Sequence, residues 1–282
     1  MIDHPISYGR QHITDEDIQA VIETLKSDYL TQGPKIPEFE KNFAKYCGCK
    51  YACMVSNGTA ALHLCAMALD IQPGDKVITT PITFVASANG FRYCGAEIVF
   101  CDIHPDTYLM DLDKLEEILK ASPKGTYKAV VPVDFAGYPM DVERMRGLAD
   151  EYGFAIVEDA CHAPGGALTD SKGNVNRIGN SNYADLTVFS FHPVKHVATG
   201  EGGAITVGRQ GSLTATKTNV YNNAKTAGQA GAIKAYTGAT VNLTRCELYG
   251  NKAVTHGGAI QIWGGNDPGI IVHMTMTDCT VR

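Results

Sequence analysis

Apolar and polar residues follow a helical period in several parts of the first 207 residues. Thr14 and the acidic turn after it precede Ile18, Val21 and Leu25, which recur every three or four positions. This pattern predicts a capped amphipathic helix. The same reasoning predicts further helices over residues 59–69, 111–119 and 142–152.

Short apolar runs rich in β-forming residues separate these helices and predict strands. They cover residues 76–79, 97–100, 129–133, 154–157 and 186–190. Strands that are apolar throughout and alternate with helices indicate a mostly parallel sheet covered on both faces. We therefore predict an α/β domain over residues 1–207, with ligands bound beyond the carboxyl ends of its strands.

The pattern changes after Val207, where Gly, Asn and Thr dominate and the helical period ends. Residues 213–223 align with 241–251, and 274–281 fit the same frame, at offsets of 28 and 33 residues. Gly231-Ala232-Ile233 also recurs as Gly258-Ala259-Ile260. Repeats of this length predict a stacked solenoid. The segment resembles right-handed parallel β-helix repeats, and we predict such a second domain over residues 208–282.

The charge distribution argues against nucleic acid as a partner. The formal net charge is −6, but residues 208–282 hold seven basic and three acidic side chains, which leaves 17 basic and 27 acidic ones before them. A phosphate backbone requires a basic surface. No apolar run is long enough to cross a bilayer, and the amino terminus lacks the features of a signal peptide, so a cytoplasmic location is expected.

The nine cysteines do not indicate a metal site. The three that lie closest together, Cys47, Cys49 and Cys53, fit no common zinc spacing. Several others lie inside apolar runs. We interpret the cysteines as buried, reduced thiols and predict no metal.

Two motifs point to a phosphate and to a cationic ring. Gly58 and Thr59 lie where a loop enters a predicted helix, and free N–H groups at a helix start bind phosphate. Ordinary helix capping is the alternative explanation. Asp159 ends an apolar strand, so its carboxylate would face the ligand crevice and could hold a nearby ring nitrogen cationic. The alternative is an Asp that caps the following turn.

Lys195 and Phe84 are weaker candidates when taken alone. Lys195 follows the strand that ends at Ser190, and a partly desolvated lysine in a crevice can form a Schiff base. An isolated lysine is more often a solvated surface residue. Phe84 follows another strand, where its ring could stack on a flat cofactor or simply belong to the core.

Six motifs occur in the order found in one family of enzymes. They are 30–34 (Leu-Thr-Gln-Gly-Pro), 56–62 (Ser-Asn-Gly-Thr-Ala-Ala-Leu), 83–86 (Thr-Phe-Val-Ala), 133–137 (Val-Asp-Phe-Ala-Gly), 158–163 (Glu-Asp-Ala-Cys-His-Ala), and 190–195 (Ser-Phe-His-Pro-Val-Lys) with 201–203 (Glu-Gly-Gly). Over residues 5–207 the chain therefore resembles the DegT/DnrJ/EryC1/StrS sugar aminotransferases. The resemblance implies the large domain of a fold type I pyridoxal-phosphate (PLP) transferase.

The resemblance also implies a role for each matching residue. Lys195 would form the Schiff base with PLP, and Asp159 would pair with the pyridine nitrogen. His162 would approach the ring or its 3-oxygen, and Phe84 would stack on the ring face. The phosphate would be held by Gly58, Thr59 and Ser190, while Thr31 and Gln32 would reach the sugar nucleotide.

The reaction implied by the resemblance is amino transfer from an amino acid, by analogy glutamate, to C4 of a UDP-linked 4-keto-6-deoxy sugar. A homodimer is expected as well. Family members continue past the Glu-Gly-Gly motif, whereas this chain changes character there, so the large domain is expected to be incomplete and its activity reduced or lost. Two alternatives stay open: a fragment of a β-helix surface protein that binds or cleaves polysaccharide, and an inactive PLP-binding scaffold.

Overall fold

The computed structural model describes residues 11–31 and 33–207, together with eight strands between Ser212 and Val281. The chain divides into two compact units. The first comprises Met1–Ala66 with Ile71–Arg209, and the second comprises Met67–Asp70 with Gln210–Arg282.

Six α-helices form in the described part of the first unit. They are α1 (Asp15–Leu25), α2 (Lys35–Cys47), α3 (Gly58–Ala68), α4 (Ala86–Arg92), α5 (Leu112–Lys120) and α6 (Val142–Tyr152). The predicted cap of α1 is confirmed: the Thr14 hydroxyl accepts the N–H of Asp17, and the Asp17 carboxylate accepts the N–H of Thr14 at 2.8 Å. This reciprocal pair satisfies donors that the first helical turn leaves free.

A seven-stranded sheet forms the centre of the first unit. Its strands are β1 (Tyr51–Val55), β2 (Lys76–Thr79), β3 (Glu97–Phe100), β4 (Tyr127–Val131), β5 (Ala155–Asp159), β8 (Leu186–Ser190) and β9 (Gly203–Val207), while β6 (Ala167–Thr169) and β7 (Val175–Arg177) form a separate hairpin. The strand order is β1-β9-β8-β5-β4-β2-β3. All neighbours from β8 to β3 are parallel, whereas β9 is antiparallel to both β8 and β1.

The sequence prediction of a mostly parallel α/β sheet is confirmed for this unit. The predicted bounds of β2, β3, β8 and α6 are those observed, and the other predicted elements are shifted by one or two residues at their ends. The helices α2 and α4 and the strands β1, β6, β7 and β9 were not predicted. Because β9 runs against β8, it brings Gly203 next to both Ser190 and Val55 at one edge of the sheet.

Two clusters of buried apolar side chains hold the helices on the sheet. In one, α5 and α6 contribute Leu115 and Met145, which are fully buried with Ile78 and Ile156 of the sheet. In the other, Phe43 of α2 packs edge-on against Phe189 and Phe191, with ring centroids 5.0 and 5.5 Å apart. The second cluster anchors α2 directly behind the segment that follows β8.

The described strands of the second unit pair in parallel. They are β10 (Ser212–Thr216), β11 (Asn219–Tyr221), β12 (Ile233–Tyr236), β13 (Thr240–Thr244), β14 (Glu247–Tyr249), β15 (Ile260–Trp263), β16 (His273–Thr277) and β17 (Thr280–Val281). Leu213 lies opposite Val241, and Val241 opposite Met274, which are the positions that the sequence repeat aligned. Ile233 and Ile260 of the second repeated motif also pair. The β-helix assignment and the domain boundary at residue 207 stay predictions.

Two further observations concern the described residues alone. None of their helices combines the length and the apolar composition needed to cross a bilayer. All seven described cysteines carry free thiols, with Cys47, Cys65 and Cys101 buried and Cys53 exposed.

Candidate active site

A cavity of about 560 Å³ opens at the edge of the sheet where the parallel strands end. Its size is within the range of small-molecule sites. The wall is built from the segments that follow β1, β2, β4, β5 and β8 and that precede β9. Its lining includes seven residues that the sequence singled out: Gly58, Thr59, Phe84, Asp159, His162, Ser190 and Lys195.

One end of the cavity is formed by the start of α3. The first N–H groups of any α-helix have no acceptor within the helix, and the helix dipole favours an anion there. The Asn57 side chain accepts the N–H of Ala60 at 2.8 Å and fixes this turn. A Cβ on Gly58 would lie 3.2 Å from the Cβ of Ser190, so the absence of a side chain lets the helix start approach the end of β8 closely.

The Asp159 carboxylate lies at the end of β5 and is only 4% exposed. The Ser87 hydroxyl donates to its Oδ2 at 2.6 Å, and the N–H of Cys161 donates to its Oδ1 at 3.2 Å. Its strand is held by a bond from the N–H of Asp159 to Pro132 at 2.8 Å. The carboxylate is therefore fixed in position by two donors on different elements.

His162 is held as a neutral imidazole. Its Nδ1 accepts the N–H of Ala136 at 3.3 Å, and its ring lies 6.1 Å from the ring of Phe135. Burial, and next the nearby charge of Lys195, lower the pKa of His162 below its usual value. Because Nδ1 accepts a hydrogen bond, the proton of the neutral ring resides on Nε2, which makes Nε2 a donor.

Lys195 lies in a short turn after β8 and is half-buried. Its N–H donates to the carbonyl of His192 at 2.8 Å. The Gln11 amide donates to the carbonyls of Pro193 and Lys195, both at 2.6 Å. These bonds fix the backbone of the turn and leave the amine at the cavity wall, where it also lowers the pKa of His162.

The structure brings together all the predicted cofactor residues around one cavity. Phe84 is 69% exposed and lines the cavity, so it is not a core residue. Thr31 is exposed and lies outside the cavity lining, and Gln32 is outside the described residues. The roles of all these residues stay predictions.

Several lining residues had no role assigned from the sequence. They are Asn57, Thr83, His192 and Glu201, and each lies inside one of the six motifs. In the same motifs, Gly58, Phe84 and Lys195 have side chains or backbone groups with a more evident role in cofactor binding. The approach of His192 Nε2 to Glu201 Oε1, at 3.7 Å, depends on the pairing of β8 with β9, which the sequence did not show.

Comparison with protein families gives one clear match. The profile of the DegT/DnrJ/EryC1/StrS aminotransferase family matches residues 11–247, so the match extends past Val207 into the segment interpreted as β-helix repeats. The spore coat polysaccharide biosynthesis protein SpsC of Bacillus subtilis is 42% identical over 203 residues, which are 72% of this chain and 49% of that protein. A UDP-4-amino-4,6-dideoxy-N-acetyl-β-L-altrosamine transaminase of Campylobacter jejuni is 39% identical over 201 residues, which are 71% of this chain and 50% of that protein.

Solved structures agree with these relatives. The structure of Spr1654 from Streptococcus pneumoniae, in its PMP form, has a TM-score of 0.65 at 32% identity, with 73% of this chain and 53% of that chain covered. Helicobacter pylori PseC, an aminotransferase of pseudaminic acid biosynthesis, has a TM-score of 0.64 at 30% identity, with 71% and 52% covered. The chain thus spans about half the length of the relatives it matches.

Three findings point to the same family. The six motifs occur in order, the sheet gathers them around one cavity, and the family profile covers most of the sequence. The chain belongs to the DegT/DnrJ/EryC1/StrS aminotransferase family.

Proposed function

We propose that this chain binds PLP in the cavity at the sheet edge and contributes the cofactor site of a sugar-nucleotide aminotransferase. The observation that carries the proposal is the convergence of seven residues, predicted from motifs far apart in the sequence, on one cavity. The sequence resemblance alone does not show that these seven residues lie together, because a sequence match gives no side-chain positions.

The residues present fit the cofactor. The start of α3 and the Ser190 hydroxyl suit a phosphate, and the missing side chain at Gly58 leaves room beside them. The exposed ring of Phe84 and the apolar side chain of Val133 suit the faces of a flat ring. Asp159, the buried carboxylate of the lining, suits a protonated ring nitrogen.

When bound, PLP supplies an electron sink for negative charge that develops on the carbon bearing the amino group. The chain's own residues would hold and move protons around it. The Lys195 amine would take the proton from that carbon and return it at the cofactor's C4′. Asp159 would keep the ring nitrogen protonated, and Nε2 of His162 would donate to the ring 3-oxygen.

For substrates, we propose glutamate as the amino donor and a UDP-linked 4-keto-6-deoxy sugar as the acceptor. The names of the C. jejuni and H. pylori relatives support a sugar of this class. Thr31 and Gln32 are proposed sugar-nucleotide contacts on the basis of their motif alone. A homodimer is proposed on the same family basis.

The test is cofactor attachment to the full 282-residue chain. PLP should give an absorption band in the wild type that is absent in Lys195→Ala, and borohydride reduction followed by peptide mapping should find PLP on Lys195. Lys172→Ala, at an exposed lysine outside the cavity, is the matched control and should behave as the wild type. Labelling spread over surface lysines, or an unchanged band in Lys195→Ala, would contradict the proposal.

The substrate part is tested separately by adding glutamate to the PLP-loaded chain and following release of 2-oxoglutarate. Glutamate should convert the bound cofactor, whereas an amino acid of another class should not. A chain that binds PLP through Lys195 and is converted by another amino acid, but not by glutamate, would disprove the choice of donor while leaving the cofactor site in place. Conversion by none of the amino acids would agree with the loss of activity expected for an incomplete large domain.

A further inference from the structure

Ser87 is a fully buried hydroxyl beneath the cavity that neither the motifs nor the resemblance assigned to a role. It lies in the first turn of α4 with 0% of its surface exposed. Its Oγ is 2.6 Å from Oδ2 of Asp159, and Oγ1 of Thr83 lies 2.7 Å from it on the other side. Three polar side chains therefore form a chain from the cavity wall to the end of β5.

The chemistry of the groups fixes the direction of these hydrogen bonds. An ionised carboxylate only accepts, so Ser87 must donate its single proton to Asp159. The carbonyl of Phe84 is a competing acceptor for the same proton, but it lies 3.3 Å away, and a bond to a charged acceptor at 2.6 Å is much the stronger. Once Ser87 has donated to Asp159, its oxygen accepts the proton of Thr83.

The second donor to Asp159 cannot replace Ser87. The N–H of Cys161 donates to the other oxygen, at the longer distance of 3.2 Å, and it belongs to the chain segment that continues from Asp159 itself. Ser87 reaches Asp159 from helix α4, 72 positions away in sequence. The hydrogen bond from Ser87 therefore sets how the Asp159 carboxylate is oriented relative to the cavity.

We propose that Ser87 is a positioning residue that turns the Asp159 carboxylate toward the ring nitrogen of PLP, and that Thr83 in turn fixes Ser87. This inference rests on the proposed cofactor site. Ser87 does not touch the cofactor, since it is absent from the cavity lining, while Thr83 is part of that lining. Its effect is assigned to Asp159, the lining residue to which it donates.

Loss of this hydrogen bond should weaken PLP binding by a predictable factor. A hydrogen bond to a charged group contributes enough that its removal should raise the PLP dissociation constant about 10- to 100-fold in Ser87→Ala. Thr83→Val removes a bond between neutral groups and should raise it only about 2- to 10-fold. Thr83→Ser keeps the hydroxyl and should bind PLP more tightly than Thr83→Val.

The discriminating experiment compares PLP with an analogue whose ring nitrogen is replaced by CH, by absorption titration of the full chain. If Ser87 acts through Asp159 on the nitrogen, Ser87→Ala should weaken PLP binding but change binding of the analogue by less than about threefold. In an Asp159→Asn background, Ser87→Ala should have no further effect on PLP.

Each other result has a definite meaning. An equal loss of affinity for both ligands would show that Ser87 only shapes the cavity and would overturn the inference, while the proposed cofactor site would stand. Failure of the wild type to bind PLP would overturn the proposed function itself. Should Ser87→Ala not fold, the pair Thr83→Val and Thr83→Ser decides: equal PLP affinities in that pair would overturn the inference.

Discussion

Gly203 occupies the tightest backbone contact of the site and offers a sharp test of the structure. It begins β9 and pairs with Val55 on one side and with Ser190 on the other. A Cβ at this position would lie 2.6 Å from the carbonyl carbon of Asn57 and 2.8 Å from the nitrogen of Gly58. The substitution Gly203→Ala would therefore press directly on the turn from β1 into α3.

The magnitude follows from what must move. The contacted atoms are backbone, so no side-chain rotation can relieve the overlap, and the strand pairs on both sides hold β9 in place. Overpacking of this kind costs about 1–3 kcal/mol. Because the contact is with backbone, we expect a loss near the upper end, about 3 kcal/mol, which corresponds to a fall in melting temperature of about 6–12 °C.

Thermal and urea unfolding of the full chain measure this effect, and PLP titration measures its consequence for the cofactor site. Gly147→Ala is the matched control, because Gly147 lies in α6 and a Cβ there meets no atom within 4 Å. That control should gain about 0.5–1 kcal/mol from helix propensity. If Gly203→Ala were as stable as wild type and bound PLP equally well, the close contact between β9 and the start of α3 would be refuted.

Three further substitutions test other parts of the structure. Gly58→Ala would place a methyl group 3.2 Å from the Cβ of Ser190. It should weaken PLP binding at least about tenfold and lower the unfolding free energy by less than about 1 kcal/mol. A PLP titration equal to that of the wild type would contradict this prediction. Burial raises the pKa of Glu158 from 4.5 to about 7, so the folded chain binds more protons than the unfolded chain across this window and its unfolding free energy should fall as pH rises. Glu158→Gln should flatten that slope in urea unfolding measured between these pH values, and a slope identical to wild type would argue against it. Asp170→Ala removes the hydrogen bonds that Oδ2 accepts from Asn176 at 3.0 Å and from Tyr183 at 3.1 Å, so it should lower the unfolding free energy in the same assay. An unfolding free energy equal to that of the wild type would show that those bonds are absent.

The fold could be predicted where the pattern of apolar and polar residues within a segment identifies it as a strand or a helix. β2, β3 and β8 are short apolar runs between polar segments, and α6 has a clear helical period, so their bounds were predicted correctly. The helix α2 was missed because it is rich in charged residues, and it buries only Phe43, Ala44 and Cys47. The direction of β9 could not be predicted, because an apolar run looks the same whether its partner is parallel or antiparallel.

The site could be predicted as a set of residues but not as a network. The motifs identified Asp159, Lys195 and Ser190, since a strand end, a lysine and a hydroxyl each have an evident chemical use. Nothing in the sequence distinguished Ser87 from any serine in a first helical turn. Its importance depends on α4 lying against the end of β5, which is a tertiary contact between segments 72 positions apart.

Three acids, one after β4 and two at the end of β5, show how packing, and not sequence, assigns a role. Asp134, Glu158 and Asp159 are all at least 96% buried, and Asp134 interacts electrostatically with the other two. Burial raises the pKa of both Asp134 and Glu158, further helped for Asp134 by the neighbouring charge of Glu158. Asp134 has one oxygen with no hydrogen-bond partner among the described residues, whereas both oxygens of Asp159 accept hydrogen bonds. Of these three carboxylates, Asp159 is the one that lines the cavity, and donors to both of its oxygens fix it where a cationic ring nitrogen would lie.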